Sequence, residues 1–402
     1  MTESSLRTIK IKDLKPGMYV HEILDHSGKL KVKSRGRVSS DAIVAKLKAR
    51  GVKEVVIDEA RQDDDVPKDS TVAVTVAPEK ESEDPGSANV TIEDELARAR
   101  KLHAKGKNIQ KQLLKSVKKG LPFDNAIPRD FSHSLVESID RNPNALVCLT
   151  KIREKDDYLL EHSLNVAILL ANFGRHLGMS TKEVEDLAYA GFLHDIGKIQ
   201  IPDEILHKPG RLTDAEMTVM KEHVQRGVDV LVETGISEEL IRTVSEHHER
   251  LDGLGYPAGV SGDDISHTGR MLAIADVYDA LTADRVYKAG MPSQKAFSIL
   301  MADSPHKLDK DLVQQFIKCM GVYPIGSLVL LSNERLAMVM EQTDAPLAPK
   351  VKIFYSVRNQ HFLEPKDCDL SAEASLKVVK AALGSDYRID VNGFFERAVA
   401  PQ

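Results

Sequence analysis

Between residues 162 and 276 the sequence places histidines and aspartates in a pattern that could hold metal ions. His194 and Asp195 are neighbours, and Lys198 lies one turn beyond His194. An imidazole serves one metal, whereas a carboxylate has two oxygens and can bridge two. Taken alone, H-D-x-x-K is a short match, and a histidine is favoured at a helix C-terminus by the macrodipole. The other candidates are His162 in YLLEHSLNVA, His223 in MKEHVQRG, and His247 and His248 at the start of HHERLDGLGYP. Asp276 lies in LAIADVYDALTADRVY, a mostly apolar stretch where an acid needs a reason to be buried. Each residue by itself reads as an ordinary histidine or surface acid. Spread over several helical segments, they match the way helical bundles build metal sites from inward side chains. Nitrogen and oxygen ligands without thiolate suit Fe, Mn, Ni, Co or Zn. Two such ions close together can trap a hydroxide and clamp the phosphate it attacks.

The stretch HHERLDGLGYP, residues 247 to 257, sets two imidazoles side by side. On a helix, adjacent side chains point about 100° apart, so the two rings would not easily share one metal. They could serve different metals of a pair, or one could bind while the other packs. The turn DGLGYP would form a pocket wall, with Gly253 and Gly255 permitting tight backbone and Pro257 stiffening it.

Helical patterns carry these residues from about 130 to 320. MSTKEVEDLAYAGFLHDIGK reads as a helix capped by Ser180, with Glu183 completing a capping box. RLTDAEMTVMKEHVQRG repeats the device with Thr213 and Glu216. After Tyr323, GSLVLLSNERLAMVM and KVKIFYSV read as strands. Near the N-terminus, IKIKDL and KEVVID read as strands around a helix in SSDAIVAKLKARG. Residues 62–89 are rich in acids, Pro, Ser and Gly and read as a protease-sensitive linker, with VAVTV a weak strand candidate. The helix that follows starts at Thr91. Its Leu102, Ile109 and Leu113 form a narrow apolar stripe, which fits a connector with a solvated basic face better than a membrane-surface helix.

The expected fold is multi-domain. It comprises an α+β module at 1–61, the acidic linker at 62–89, a connecting helix at 90–130, an all-α helical bundle at 131–322 and a β-rich appendix at 323–402. The 402 residues are 42% hydrophobic, enough for proper cores, and the net charge of -6 argues against coating a nucleic acid polymer. Cys148, Cys319 and Cys368 form no C-x-x-C and fit a reducing compartment. With no signal core and no long apolar run, a cytoplasmic protein without a membrane span is expected.

His194-Asp195 with Lys198, then HHERLDGLGYP, then ADVYDALTADRVY, resembles the HD-GYP family of bacterial phosphodiesterases. The resemblance covers about residues 140 to 325. It implies hydrolysis of a cyclic dinucleotide, chiefly cyclic di-GMP, to linear pGpG and/or GMP, in second-messenger signalling linked to biofilm and motility. It implies the metal ligands His162, His194, Asp195, His223, His247, His248 and Asp276, with Asp195 bridging two divalent ions, iron or manganese before nickel, cobalt or zinc. Asp195 and Lys198 would be the catalytic pair. Lys198, Arg285 and Lys288 would meet substrate phosphate, and Tyr256 would line the pocket. Some members carry a Glu for a third metal one turn before the first histidine. Tyr158 stands there, so two metals are expected. Diguanylate cyclase (GGDEF) proteins are possible partners through the GYP loop, and a homodimer is possible. Residues 6 to about 130 resemble a module of unknown role that precedes such domains. The alternatives are a preference for cyclic GMP-AMP, a non-catalytic sensor or scaffold, and an HD hydrolase acting on mononucleotides or stringent-response nucleotides.

Overall fold

The computed structural model describes residues 6–24, 30–32, 36–38, 44–45, 47–48, 52–58, 90–121, 123–151, 158–283, 290–391 and 393–394. The chain divides into two compact units, Met1–Asn89 with Gly120–Asp124, and Val90–Lys119 with Asn125–Gln402. The expected linker at 62–89, VAVTV included, lies outside the described residues.

The first unit is α+β. Its strands are β1 (Leu6–Lys10), β2 (Tyr19–Leu24), β3 (Leu30–Val32), β4 (Gly36–Arg37) and β5 (Glu54–Asp58). They pair antiparallel in the order β1-β5-β2-β3, with β4 also on β2. Alternation puts Val55 and Ile57 of β5 inside, against Leu14, Val20, Val44 and Leu47. The strand expected from IKIKDL starts earlier and ends at Lys10, because Ile11–Asp13 turns into a short 3-10 helix. Of the helix expected in SSDAIVAKLKARG, residues 44–45 and 47–48 are described, and they are helical.

The second unit is mostly helical. Helix α1 (Ile92–Lys118) begins at an N-cap where Thr91 Oγ1 accepts from Asp94 N at 3.2 Å. Its basic face is solvated as expected, with Lys101, Lys105, Lys111 and Lys115 exposed, but its other face is packed. Leu96, Ala99, Ile109, Leu113, Leu114 and Val117 are buried, and Gln110 Nε2 donates to the Phe192 carbonyl. The buried stripe runs through Gly106, where a Cβ would collide with the Phe131 ring. Gly and Gln do not register as apolar, so the stripe looks narrower in sequence than it is. The helix also stops short of 130. Leu121 returns to the core of the first unit, Tyr19 donates its hydroxyl to Asp124 there at 2.5 Å, and α2 (Ala126–Arg141) starts anew.

The bundle continues with α3 (Pro143–Leu149), α4 (Tyr158–His176), α5 (Thr181–Leu193), α6 (Asp203–Leu206), α7 (Asp214–Lys221), α8 (His223–Glu233), α9 (Glu238–Ser245), α10 (His267–Thr282), α11 (Ser293–Asp303) and α12 (Lys310–Met320). Both capping boxes form, Ser180 with Glu183 on α5 and Thr213 with Glu216 on α7. Helix α4 packs on α5 and α10, and Val166, Leu170, Phe192 and Ile274 are buried. The long helix expected through MKEHVQRG is broken at Glu222, which makes His223 the first residue of α8.

Beyond the helices, β6 (Leu328–Leu331), β7 (Arg335–Glu341), β8 (Lys350–Ser356), β9 (His361–Asp369) and β10 (Val378–Ala382) form an antiparallel sheet, ordered β10-β6-β7-β8-β9. This β-rich appendix shares the compact unit of the bundle, and β7 packs on α3. Among the described residues no helix is long and apolar enough to cross a membrane.

Candidate metal centre

Three helix ends build half of the site. The last carbonyls of an α-helix have no partner inside the helix. At α5, His194 Nδ1 lies 2.8 Å from the Gly191 carbonyl. His223 Nδ1 lies 2.7 Å from Met220 O at the end of α7, and His247 Nδ1 lies 2.6 Å from Val244 O at the end of α9. A carbonyl only accepts, so each Nδ1 carries the proton and donates. Each Nε2 is then a lone pair turned the other way. The helix-capping and metal-ligating readings of His194 are compatible, because one ring nitrogen serves each.

Those lone pairs converge. His223 Nε2 and His247 Nε2 are 3.4 Å apart. Asp195 follows His194 directly and turns its two oxygens to different rings. Oδ2 is 3.4 Å from Nε2 of both His162 and His194. Oδ1 is 3.5 Å from His223 Nε2 and 3.9 Å from His247 Nε2. From α4, His162 brings Nε2 to 3.0 Å from Asp276 Oδ1 on α10, and its Nδ1 donates to Asp279 Oδ2 at 2.8 Å. His248 Nδ1 is 3.7 Å from Asp276 Oδ2.

The HH pair does not sit on a helix. α9 ends at Ser245 and both residues lie in the turn beyond it. The 100° separation of a helix therefore does not apply, and the two ring centroids are 4.0 Å apart. His223, His247 and His248 bring ligand atoms within 4.8 Å of one another. So do His162, His194 and Asp276, and so do His194, Asp195 and His247.

These donors fit divalent metal ions. His194 Nε2 and Asp195 Oδ1 are buried polar atoms without a hydrogen-bond partner. Two imidazole lone pairs facing each other repel unless a cation lies between them. The donor set is nitrogen and carboxylate oxygen, with no thiolate, which suits first-row divalent ions.

Charge follows the geometry. Burial favours protonation of Asp195, but its neighbours, His194 and Lys198 foremost, outweigh it and hold the carboxyl well below the usual range. Burial, with Lys198 assisting, pulls His223 down to about 4. Burial likewise pulls His248 down to about 3, against the attraction of Asp276. His162 differs. Burial disfavours its charge, yet hydrogen bonds to Asp276 and Asp279 prevail and raise it to about 9.

The loop after HHER folds back tightly beside the cluster. Gly255 lies so close to Glu249 and Arg250 that a Cβ would meet their backbone at 2.5 Å. Tyr256 N donates to His248 O at 3.1 Å, and the Tyr256 ring lies 4.7 Å from that of His248, tilted 34°. Burial, reinforced by Asp276 and Asp195, raises the Tyr256 phenol. Lys198 Nζ lies 2.5 Å from Asp195 Oδ2. Arg285 and Lys288 fall outside the described residues, and so does the Tyr158 side chain.

The structure therefore gathers His162, His194, Asp195, His223, His247, His248 and Asp276, with Lys198 and Tyr256 beside them. Two residues were missed in sequence. Asp279 stands behind His162, and its signal was the D-V-Y-D spacing, a second acid one turn along the same apolar helix. Glu249, only 4% exposed, accepts from Ala258 N at 2.7 Å and Gly259 N at 3.0 Å and so ties the loop down.

Comparison with known proteins adds context. The HD domain family model matches residues 147–312, and a domain of unknown function (DUF3391) matches 6–126. A cyclic di-GMP phosphodiesterase of Pseudomonas aeruginosa is 36% identical over 364 residues, covering 88% of this chain and 86% of that protein. The 3'3'-cGAMP-specific phosphodiesterase 3 of Vibrio cholerae is 36% identical over 170 residues, 42% of this chain and 37% of that protein. Among solved structures, an HDG"Y"P protein from Bdellovibrio bacteriovorus is 18% identical with a TM-score of 0.48, covering 78% of this chain and 98% of that one.

Proposed function

The chain belongs to the HD-GYP family of phosphodiesterases, and from that premise we propose that it hydrolyses cyclic di-GMP at a dinuclear metal centre. One observation carries the dinuclear reading. The two oxygens of Asp195 face separate groups of buried ring nitrogens, His162 with His194 and His223 with His247. His162, His194 and Asp276 would hold one ion, His223, His247 and His248 the other, and Asp195 would join them. Two divalent ions supply charge neutralisation at the phosphodiester and a nucleophilic water at neutral pH. Iron or manganese come first, with nickel, cobalt or zinc as alternatives.

The chain's own residues do the rest. The three carbonyl-anchored imidazoles keep their Nε2 lone pairs fixed toward the site. Lys198 places a positive charge beside Asp195, where a substrate phosphate would arrive. Tyr256 closes one side and limits water entry. Water adds to phosphorus, one ester P–O bond breaks, and the leaving oxygen gains a proton. The product is a linear dinucleotide, pGpG, which a second cleavage takes to GMP.

A preference for cyclic GMP-AMP is the second reading. The Vibrio cholerae relative specific for that nucleotide has the same 36% identity as the Pseudomonas relative, over a shorter span. Turnover of both cyclic dinucleotides by metal-loaded protein, with a mononucleotide control, tests the assignment. Faster cleavage of cyclic di-GMP supports it. Equal or faster cleavage of cyclic GMP-AMP moves the assignment to the second reading. Turnover of the mononucleotide alone, or of none of the three, overturns both.

A further inference from the structure

We propose that Lys221 binds the second, uncleaved phosphate of the cyclic dinucleotide and so sets affinity for substrates with two phosphates. The inference rests on the phosphodiesterase reading above. Lys221 is the exposed last residue of α7, two positions before His223. Its Nζ lies 5.0 Å from the centroid of the Tyr256 ring, which in turn packs against His248. The ammonium thus lies over an aromatic ring beside the histidine cluster.

Its charge is not neutralised locally. Among the described residues no carboxylate oxygen lies within 4.0 Å of Lys221, and its neighbour Glu222 pairs with Arg226 at 2.7 Å instead. Lys198, by contrast, already lies against Asp195. A cyclic dinucleotide carries two phosphodiesters on one ring. With one at the histidine–aspartate cluster, the other lies away from it, and Tyr256, packed on His248, carries Lys221 to the edge of that cluster. Lys221 offers an uncompensated cation there. Arg285 and Lys288, the other cations expected near phosphate, fall outside the described residues.

The test compares two substrates. Cyclic di-GMP has two phosphates, and bis(4-nitrophenyl) phosphate has one. Lys221→Met keeps an aliphatic stem over Tyr256 and removes the charge, while Lys221→Arg keeps the charge. A charge-assisted contact of ordinary strength corresponds to about tenfold in KM. The expected result is that Lys221→Met raises KM for cyclic di-GMP about tenfold and changes kcat less than about twofold. Its kinetics on bis(4-nitrophenyl) phosphate and its metal content should match the parent, and Lys221→Arg should recover most of the loss. An unchanged KM for cyclic di-GMP overturns the proposal, and so does a parallel rise for both substrates or a loss of metal. A parent protein inactive on both substrates would instead remove the underlying phosphodiesterase reading, and this proposal with it.

Discussion

His162 donates its Nδ1 proton to Asp279 across 2.8 Å, and both side chains are only 1% exposed. The bond fixes the ring so that Nε2 faces Asp276 and Asp195. It differs from the supports of His194, His223 and His247, which rest on neutral carbonyls. A carboxylate makes the imidazole more basic and a stronger ligand, and losing such outer partners typically costs 10 to 100-fold in metal affinity or activity.

Asp279→Ala should therefore weaken one metal position by about 10 to 100-fold. Asp279→Asn keeps an acceptor oxygen but not the charge, and should fall between the parent and the alanine variant. Metal bound per chain, titrated against a competing chelator, is the measurement. Parental metal affinity in Asp279→Ala would remove Asp279 from the site's support.

Proton counting separates the two halves of the site. In the metal-free protein His162 is raised to about 9, so at pH 7.5 it holds a proton between its two acids. His223, pulled down to about 4, and His248, pulled down to about 3, are already neutral. Loading metal at pH 7.5 should release about one proton per chain, because a ligating imidazole must give up its proton. Calorimetry in buffers of different ionisation enthalpy measures it, and zero release would refute the assignment of His162. The sign for folding follows from the raised value. In the metal-free protein this group's contribution is fully present below about pH 6.5 and is lost as pH rises through about 9. Thermal melts of metal-free protein should show that loss, and melts of metal-loaded protein should not.

The candidate ligands were legible in sequence because few residue types bind metals, and several recurred within one helical region. Their geometry was not. The break at Glu222 contains neither Gly nor Pro, so His223 read as a mid-helix residue rather than the start of α8. No glycine marks the end of α9, so His247 and His248 read as helical neighbours pointing apart. Asp279 reads in sequence as one more acid on an apolar helix, and only its contact with His162 marks it as support. The packing of α1 was hidden by Gly106 and Gln110, which fill buried positions without being apolar. In each case tertiary contact decided what local pattern left open.

One carboxylate binds two amides of the loop after HHER. Glu249 Oε1 accepts from Ala258 N and Gly259 N, two successive amides just after Tyr256 and Pro257. Glu249→Ala should free both, so their hydrogen exchange should speed up by about tenfold or more, the loss expected for a hydrogen bond to a charged group. Glu249→Gln retains an oxygen acceptor and should keep most of the protection. Exchange at Ala258 and Gly259, read by mass spectrometry on short fragments, decides it. Equal protection in the parent and the alanine variant would show that the loop is held by other contacts.

Asp195 joins the two halves of the site, since its oxygens face different groups of ring nitrogens. Oδ2 faces His162, His194 and Lys198, and Oδ1 faces His223 and His247. Asp195→Asn keeps the size, removes the charge and turns one oxygen into an amide nitrogen, a poor ligand. Two cations drawn together by a carboxylate would then repel without compensation. At least one should be lost, and with it the depression of a bound water's pKa from 15.7 to about 7. Activity on cyclic di-GMP should fall by about a hundredfold or more, since errors further from the metal already cost 10 to 100-fold. Lys198→Ala should keep its metals and lose substrate affinity and turnover, because an ammonium pairs with the carboxylate but is not a metal ligand. Metal content and turnover, measured on both variants and the parent, give the answer. The parent should hold two ions per chain, and three tightly bound ions would defeat the dinuclear assignment. An Asp195→Asn protein that keeps two metals and near-parental turnover would defeat the bridging role.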